Sequence, residues 1–348
     1  MYYRFTLTLL ALIVLAQVPP TFAFPTGLVS LSPGCSPVAS GVLNNPYVSI
    51  VGVRCGWESV EKTAGTYNWS YFDGQINAAA AVHKPVLLRV VAGGYHMPSY
   101  VYAKGARKFT FIENNAYSTL NNKSVTIPLF WDSVFLSSKF AMIAKMGQHF
   151  ASNPNVEIVA VSCANATTDD WEVPHSSTDI SNWHTAGYTS AQMVTACEQT
   201  IDATMAAFPT QYVTLAIGWD GTLDSPQSAT DVADTVTAYA ISKYPGHMII
   251  QKNGLSATTP DPNTTRLSGS WLGLYDARPD IAAQNLWFVT NDLTCRMNAG
   301  VKPCQPTTML DNALFIGRHY RIGYAEVYDR DILNPALQAT LSQYATSP

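Results

Sequence analysis

The chain has 348 residues and a formal net charge of −4, with 47% hydrophobic and only 13% charged residues. That length fits one large α/β barrel or two ordinary domains, with enough apolar material for a sizeable core. The near-neutral balance, without a basic cluster, leaves no electrostatic case for nucleic acid as a partner.

Met1–Arg4 carries one positive charge, an apolar run (FTLTLLALIVLA) follows, and Thr21–Ala23 has the small-x-small form of a cleavage site. Residues 1–23 read as a secretory signal peptide removed after about Ala23. The apolar core of about a dozen residues is short of the ~20 that span a bilayer. No later run is long and apolar enough to do so, and the mature chain, 24–348, is expected to be extracellular and free of the membrane.

GLVSLSP (27–33) is a candidate first strand. YVSIVGVRC (47–55) is a near-continuous β-rich run, and YFDGQINAAAAVH (71–83) follows as a helix. KPVLLRVVAGG (84–94) is the next buried strand. Residues 98–130 hold no further strand–helix unit. Their short aromatic and β-branched runs around ENNAYSTLNNKS predict an inserted loop or hairpin. DSVFLSSKFAMIAKMGQHFA (132–151) is an amphipathic helix, with Leu136, Phe140, Ile143, Met146 and Phe150 at helical spacing. VEIVAVSCA (156–164) is a strand, and SAQMVTACEQTIDATMAAF (190–208) a helix opening on a serine cap. The alternation continues with strand 211–218, helix 228–244, strand 247–254, a weaker strand 281–289, helix 309–320, strand 321–328 and a closing helix 334–345.

Strands buried on both faces and alternating with helices imply a parallel sheet. Eight such units predict a single-domain (β/α)8 TIM barrel, with a doubly wound open sheet as the alternative. No G-x-G-x-x-G or G-x-x-x-x-G-K-[ST] follows any strand, which argues against nucleotide-binding versions.

Six cysteines in an exported chain suggest disulfides. Cys295–Cys304 closes a short loop, Cys35 and Cys55 flank early strands, and Cys163–Cys197 is left by elimination. No cysteine or histidine spacing resembles a metal site, and no cofactor is expected. Four N-x-[ST] sequons occur, at Asn68, Asn122, Asn165 and Asn263.

Working residues of a TIM barrel lie at the C-terminal strand ends. Here those ends carry Trp57 and Glu58, Tyr95 and His96, the stretch VSCANATTDDWEVPHSS (161–177), Trp219 and Asp220, Asn253, Gln284 and Trp287, and Glu326 and Tyr328. Tryptophans Trp57, Trp171 and Trp219 suit stacking on pyranose C–H faces, though large aromatics also simply cap barrels. Glycoside hydrolysis needs two carboxylates across the scissile bond. The candidates are Asp169, Asp170 and Glu172 after the fourth strand, and Glu326 inside the apolar run IGYAEVY. Arg54 and Arg89 also sit in apolar strands, so Glu326 could equally belong to a barrel ion pair. Glu58 and Glu61 read equally well as turn charges or as ligands.

The segment GVRCGWESVEKTAGTYNWSYFDGQINAAAAVHKPVLLRVVAGG resembles a recurring pattern of clan A glycoside hydrolases, the β-galactosidase-like (β/α)8 barrels. MPSYVYAKG and IPLFWDSVFLSSKFAMIAKMGQHFASNPNVEIVAVSCAN extend the resemblance over roughly 45–175. The resemblance implies an acid/base glutamate after an Asn ending the fourth strand and a nucleophile glutamate ending the seventh. Here Asn165 is followed by Ala166, so Asp170 takes the acid/base place with Glu172 as rival. The seventh strand ends near Gln284, an amide, and Glu326 falls one strand later. The implied function is hydrolysis of O-glycosidic bonds in extracellular or cell-wall carbohydrate. Asp170, Glu172 and Glu326 would be catalytic, with Arg54 holding Glu326 by charge pairing. Arg54, Trp57, Arg89, Asn165, Trp171, Trp219 and Gln284 would bind substrate. The alternative is a barrel that binds glycan without cleaving it. A different secreted barrel enzyme would need a metal or cofactor cluster that the sequence does not display.

Overall fold

The computed structural model describes residues 24–161, 163–168, 171–218 and 228–346. The signal-like segment 1–23 and the site candidates Asp169, Asp170, Trp219 and Asp220 lie outside the described residues.

Ten strands are present among the described residues: β1 (Gly27–Leu31), β2 (Val48–Gly56), β3 (Val86–Val91), β4 (Lys108–Ile112), β5 (Ser124–Pro128), β6 (Val156–Val161), β7 (Tyr212–Ile217), β8 (Met248–Leu255), β9 (Ile281–Asn285) and β10 (Tyr324–Tyr328). Eight form a closed parallel barrel in the order β1-β10-β9-β8-β7-β6-β3-β2. The chain is therefore the TIM barrel that the strand–helix alternation predicts, and the doubly wound alternative does not hold. The candidate at 27–33 is the true first strand. It pairs with β2 on one side and with β10 on the other, Gly27 opposite Tyr324 and Leu31 opposite Tyr328. Gln284 thus ends the seventh barrel strand and Glu326 lies in the eighth. The insert is an antiparallel hairpin, β4 against β5, with Lys108 opposite Pro128 and Ile112 opposite Ser124.

The barrel strands are short apolar runs because both of their faces are covered. All six residues of β3 are buried. The interior is stratified. One residue from every barrel strand, Val29, Ile50, Leu87, Ile158, Tyr212, Ile249, Ala282 and Tyr324, forms a separate apolar cluster at its base. Above it the inward positions turn polar. The Tyr324 hydroxyl lies 2.8 Å from Gln251 Oε1 and 3.0 Å from Thr214 Oγ1, and Gln251 Nε2 donates to Asn253 Oδ1 at 2.7 Å. β10 and β7 are not neighbours in the ring, so these bonds cross the lumen.

Helices 70–80, 133–150, 190–207, 228–243 and 306–320 fall where the 3.6-residue pattern places them. The cap of helix 190–207 is Thr189, one residue before the expected serine; its hydroxyl accepts from Gln192 N–H at 3.2 Å. Helices 177–185 and 269–276 were not expected. The first is closed by a reciprocal cap in which Ser176 and Asp179 bond each other's backbone N–H.

Cys35–Cys55 and Cys295–Cys304 are disulfides, as expected. Cys163 and Cys197 are not cross-linked; they are buried free thiols close enough to influence each other. No helix among the described residues is long and apolar enough to cross a membrane.

Candidate active site

The C-terminal strand ends surround a cleft of about 550 Å³. Its aromatic lining is Tyr95, Tyr117, Trp287 and Tyr328, and its polar lining includes Arg54, His96, Thr167, Asn253, Gln284 and Arg296. No lining residue among those described is a carboxylate.

The loop after β2 is organised by Glu61, which is only 2% exposed. Its Oε2 accepts the Trp57 indole N–H at 2.8 Å, and its Oε1 accepts Gly65 N–H at 2.8 Å. The Tyr67 and Tyr100 hydroxyls lie close to it, and burial together with this carboxylate pushes both phenols well above their ordinary range. The W-x-x-x-E-x-x-x-G-x-Y spacing, Trp57 to Tyr67, is thus a structural signature. Glu61 is neither a solvated turn charge nor a ligand on the cleft. Trp57 is fully buried, packs on Phe135 and belongs to the core, so it is not a platform for sugar. Glu58, by contrast, is at the rim, 2.7 Å from His96 Nδ1.

The stretch after β6 folds back on itself. Ala166 N–H donates to Glu172 O at 2.9 Å and Glu172 N–H to Ala164 O at 2.8 Å. Asn165, 2% exposed, donates through Nδ2 to Thr168 O at 3.1 Å. Gly94 makes this loop possible: its φ is +56°, and a Cβ there would collide with the Ala166 and Asn165 carbonyls. Trp171 is 3% exposed, and its indole N–H meets no partner among the described residues. Glu172 accepts from the Thr168 hydroxyl at 3.1 Å and lies 3.4 Å from that of Thr167. The Thr167 hydroxyl donates more closely, at 2.7 Å, to Glu113, a buried carboxylate at the end of β4. Sequence reasoning missed Glu113, since only the hairpin fold carries it to this loop.

Glu326 is 1% exposed and lies in the polar layer below the cleft. Both its oxygens face Arg89: Nη2 donates to Oε1 at 2.6 Å and Nη1 to Oε2 at 3.3 Å. The expected partner, Arg54, does not hold it. Arg54 and Arg89 are register partners on β2 and β3. However, Arg54 donates through Nε to Ser32 O at 2.7 Å, and its charge acts on Asp329. Burial nevertheless keeps the Asp329 carboxyl above its ordinary range. Gln284 is 7% exposed and faces the cleft; its Oε1 meets no hydrogen-bond partner among the described residues. In register it stands between Asn253 on β8 and Glu326 on β10.

Of the expected binding residues, Arg54 and Gln284 line the cleft, whereas Trp57, Arg89, Asn165 and Trp171 are packed behind it. Trp287, Tyr117 and Arg296 line it as well. Among the described residues no group of three or more His, Cys, Asp or Glu is placed to hold a metal ion.

The sequence matches no protein-family model and no curated protein. Its fold is similar to that of the catalytic domain of β-amylase from Paenibacillus polymyxa, with a TM-score of 0.59 at 10% identity over 92% of this chain and 98% of that one. Xylanase B from Clostridium stercorarium F9 gives 0.51 at 8% identity, over 87% and 86% of the two chains. An intracellular xylanase from Thermoanaerobacterium saccharolyticum, in complex with xylotetraose, gives 0.50 at 9% identity, over 88% and 85%. The structural neighbours are thus glycoside hydrolases of the closed parallel-barrel type, and the clan A resemblance read from the sequence holds at the level of fold.

Proposed function

We propose that the protein is an exported barrel that binds carbohydrate in the cleft at its C-terminal mouth without the two-carboxylate cleavage of an active glycosidase. The observation that carries this reading is the lining. Tyr95, Tyr117, Trp287 and Tyr328 offer ring faces and edges, and Asn253 and Gln284 offer amides, with the Gln284 Oε1 acceptor unfilled among the described residues. A sugar hydroxyl fills such an acceptor, while its C–H face packs on an aromatic ring. Glu326 is not part of this lining: it is 1% exposed and paired with Arg89. Gln284 holds the place of the second carboxylate. The two disulfides support an oxidising compartment, in keeping with the signal-like segment 1–23.

Hydrolysis is the second reading, favoured by Glu172, whose carboxylate bonds the cleft-lining Thr168. In it Asp170 is the general acid/base, with Glu172 as rival. A panel of aryl glycosides and xylo-, cello-, manno- and malto-oligosaccharides separates the two. The wild type is expected to bind at least one oligosaccharide series without turnover, and Asp170→Asn, Glu172→Gln and Glu326→Gln to keep that affinity if they fold. Wild-type turnover abolished in Asp170→Asn or Glu172→Gln would establish the hydrolase instead. Absence of binding across the panel would remove the carbohydrate reading altogether.

A further inference from the structure

Residues 113–123, which connect β4 to β5, span the mouth of the barrel. The hairpin follows β3, and β3 and β9 occupy opposite points of the eight-strand ring. Nevertheless Tyr117 of this connection meets Trp287 from the loop after β9, with ring centroids 6.3 Å apart. The Arg296 guanidinium lies 4.1 Å from the centre of the Tyr117 ring and 4.4 Å from that of Trp287. Arg296 is firmly mounted, because its own N–H donates to Asp292 Oδ2 at 2.7 Å and its neighbour Cys295 is bridged to Cys304. The other end of the connection is held too. Thr167, after β6, donates to Glu113 Oε2 at 2.7 Å, and Glu113 Oε1 accepts Asn115 N–H at 2.8 Å. Between these anchors the sequence NNAYSTLNN is largely polar, with Leu120 partly buried against the core. The aromatic–guanidinium stack holds Tyr117, at the middle of the segment, against the far side of the mouth. Asn115, Tyr117, Ser118 and Thr119 form part of the cleft wall.

We propose that this segment is a strap, bolted by Arg296, that restricts the cleft to short oligosaccharides and chain ends. The interior of a polysaccharide must leave a binding site in two directions, and a strap fixed at both sides of the mouth obstructs one of them. The proposal rests on the carbohydrate reading and deepens it by naming the ligand form. Arg296, Tyr117 and Glu113 are its specificity-determining residues.

The test uses the full chain and the oligosaccharide series the wild type binds, comparing the hexasaccharide with size-fractionated polymers of the same sugar. The wild type is expected to bind one equivalent per polymer chain whatever the chain length. In Arg296→Ala the bound equivalents should rise with length. Wild-type stoichiometry that grows with polymer length would overturn the proposal, as would a variant that still counts only chain ends. Hydrogen exchange judges the bolt without any ligand. Amides of 114–120 should exchange about tenfold faster in Arg296→Ala, with the barrel strands unchanged. Equal exchange in the two proteins would overturn the strap even if the wild type binds carbohydrate. If the wild type binds no carbohydrate, the function reading falls and the exchange comparison still decides whether a bolted strap exists.

Discussion

At the scale of single residues, the central feature is a carboxylate that chemistry would want in the cleft and that folding has placed below it. Glu326 and Arg89 form a two-pronged pair, and both are nearly inaccessible. Such a pair gains little over well-packed apolar residues, but removing one partner leaves an uncompensated buried charge. Arg89→Met alone is expected to cost about 3–5 kcal/mol in denaturant unfolding, and Arg89→Met with Glu326→Leu to recover most of it. Additive losses in the double variant would show that the pair is not a closed unit. The sequence displayed both residues and the possibility of a barrel ion pair. It pointed to Arg54 where the fold uses Arg89, because the two are register partners on adjacent strands and only the tertiary course of their side chains separates them. Gln284 was legible for the opposite reason: strand order alone puts it at the end of the seventh strand. Asn165 shows a further limit of motif reading, since its sequon is intact but the side chain is 2% exposed.

At the scale of elements, the long helices and barrel strands were legible because each carries one clear period. Helices 177–185 and 269–276 were not, being short and lacking a long apolar stripe. The strap was equally hidden, because Glu113, Tyr117 and Arg296 come from distant segments with no shared pattern. Helix 133–150 contains a residue that its apolar stripe does not explain. Lys139 is 1% exposed, with its nitrogen 5.5 Å from the Phe135 ring centre, and it lies near the Cys163 and Cys197 thiols. Burial lowers its pKa to about 8, and the two thiols act in the opposite sense. The folded protein therefore releases this proton near pH 8, whereas the unfolded chain holds it to about 10.5. Between those values the unfolded state binds more protons, so the Lys139 contribution makes stability rise with pH, by about 1.4 kcal/mol per unit. Below pH 8 Lys139 is charged in both states and this gain is absent. The Cys197 thiol, pushed up by burial, pulls the other way, because it ionises first in the unfolded chain. Comparison with Lys139→Met isolates the lysine. The variant's stability advantage over the wild type should be largest at pH 7 and shrink steadily between pH 8 and 10. A pH-independent difference would mean that the amine is not driven neutral by the fold.

At the scale of the whole molecule, the barrel divides its work along its axis. The base is closed by an apolar layer with one residue from each strand, and the closure itself is the β1–β10 pairing. The covalent links belong to the other end: Cys35 and Cys55 line the cleft, and Cys295–Cys304 mounts Arg296. Reduction should therefore loosen the mouth while leaving the barrel folded. The loop closed by Cys35–Cys55 spans 20 residues and that of Cys295–Cys304 spans 9. From loop entropy, losing the first costs about 3 kcal/mol and losing the second about 2.5 kcal/mol. The expected result is a lower denaturation midpoint with an unchanged far-ultraviolet circular dichroism spectrum, and strap amides that exchange faster than those of β1 and β10. A thiol count belongs with it. The two free cysteines, Cys163 and Cys197, are both buried, so a thiol reagent should find none in the native protein and both after denaturation without reductant. Finding none in the denatured protein would mean that Cys163 and Cys197 are cross-linked. The helix 190–207 would then be tied covalently to the strand end that carries Asn165 and Glu172, and reduction would loosen that side of the mouth as well.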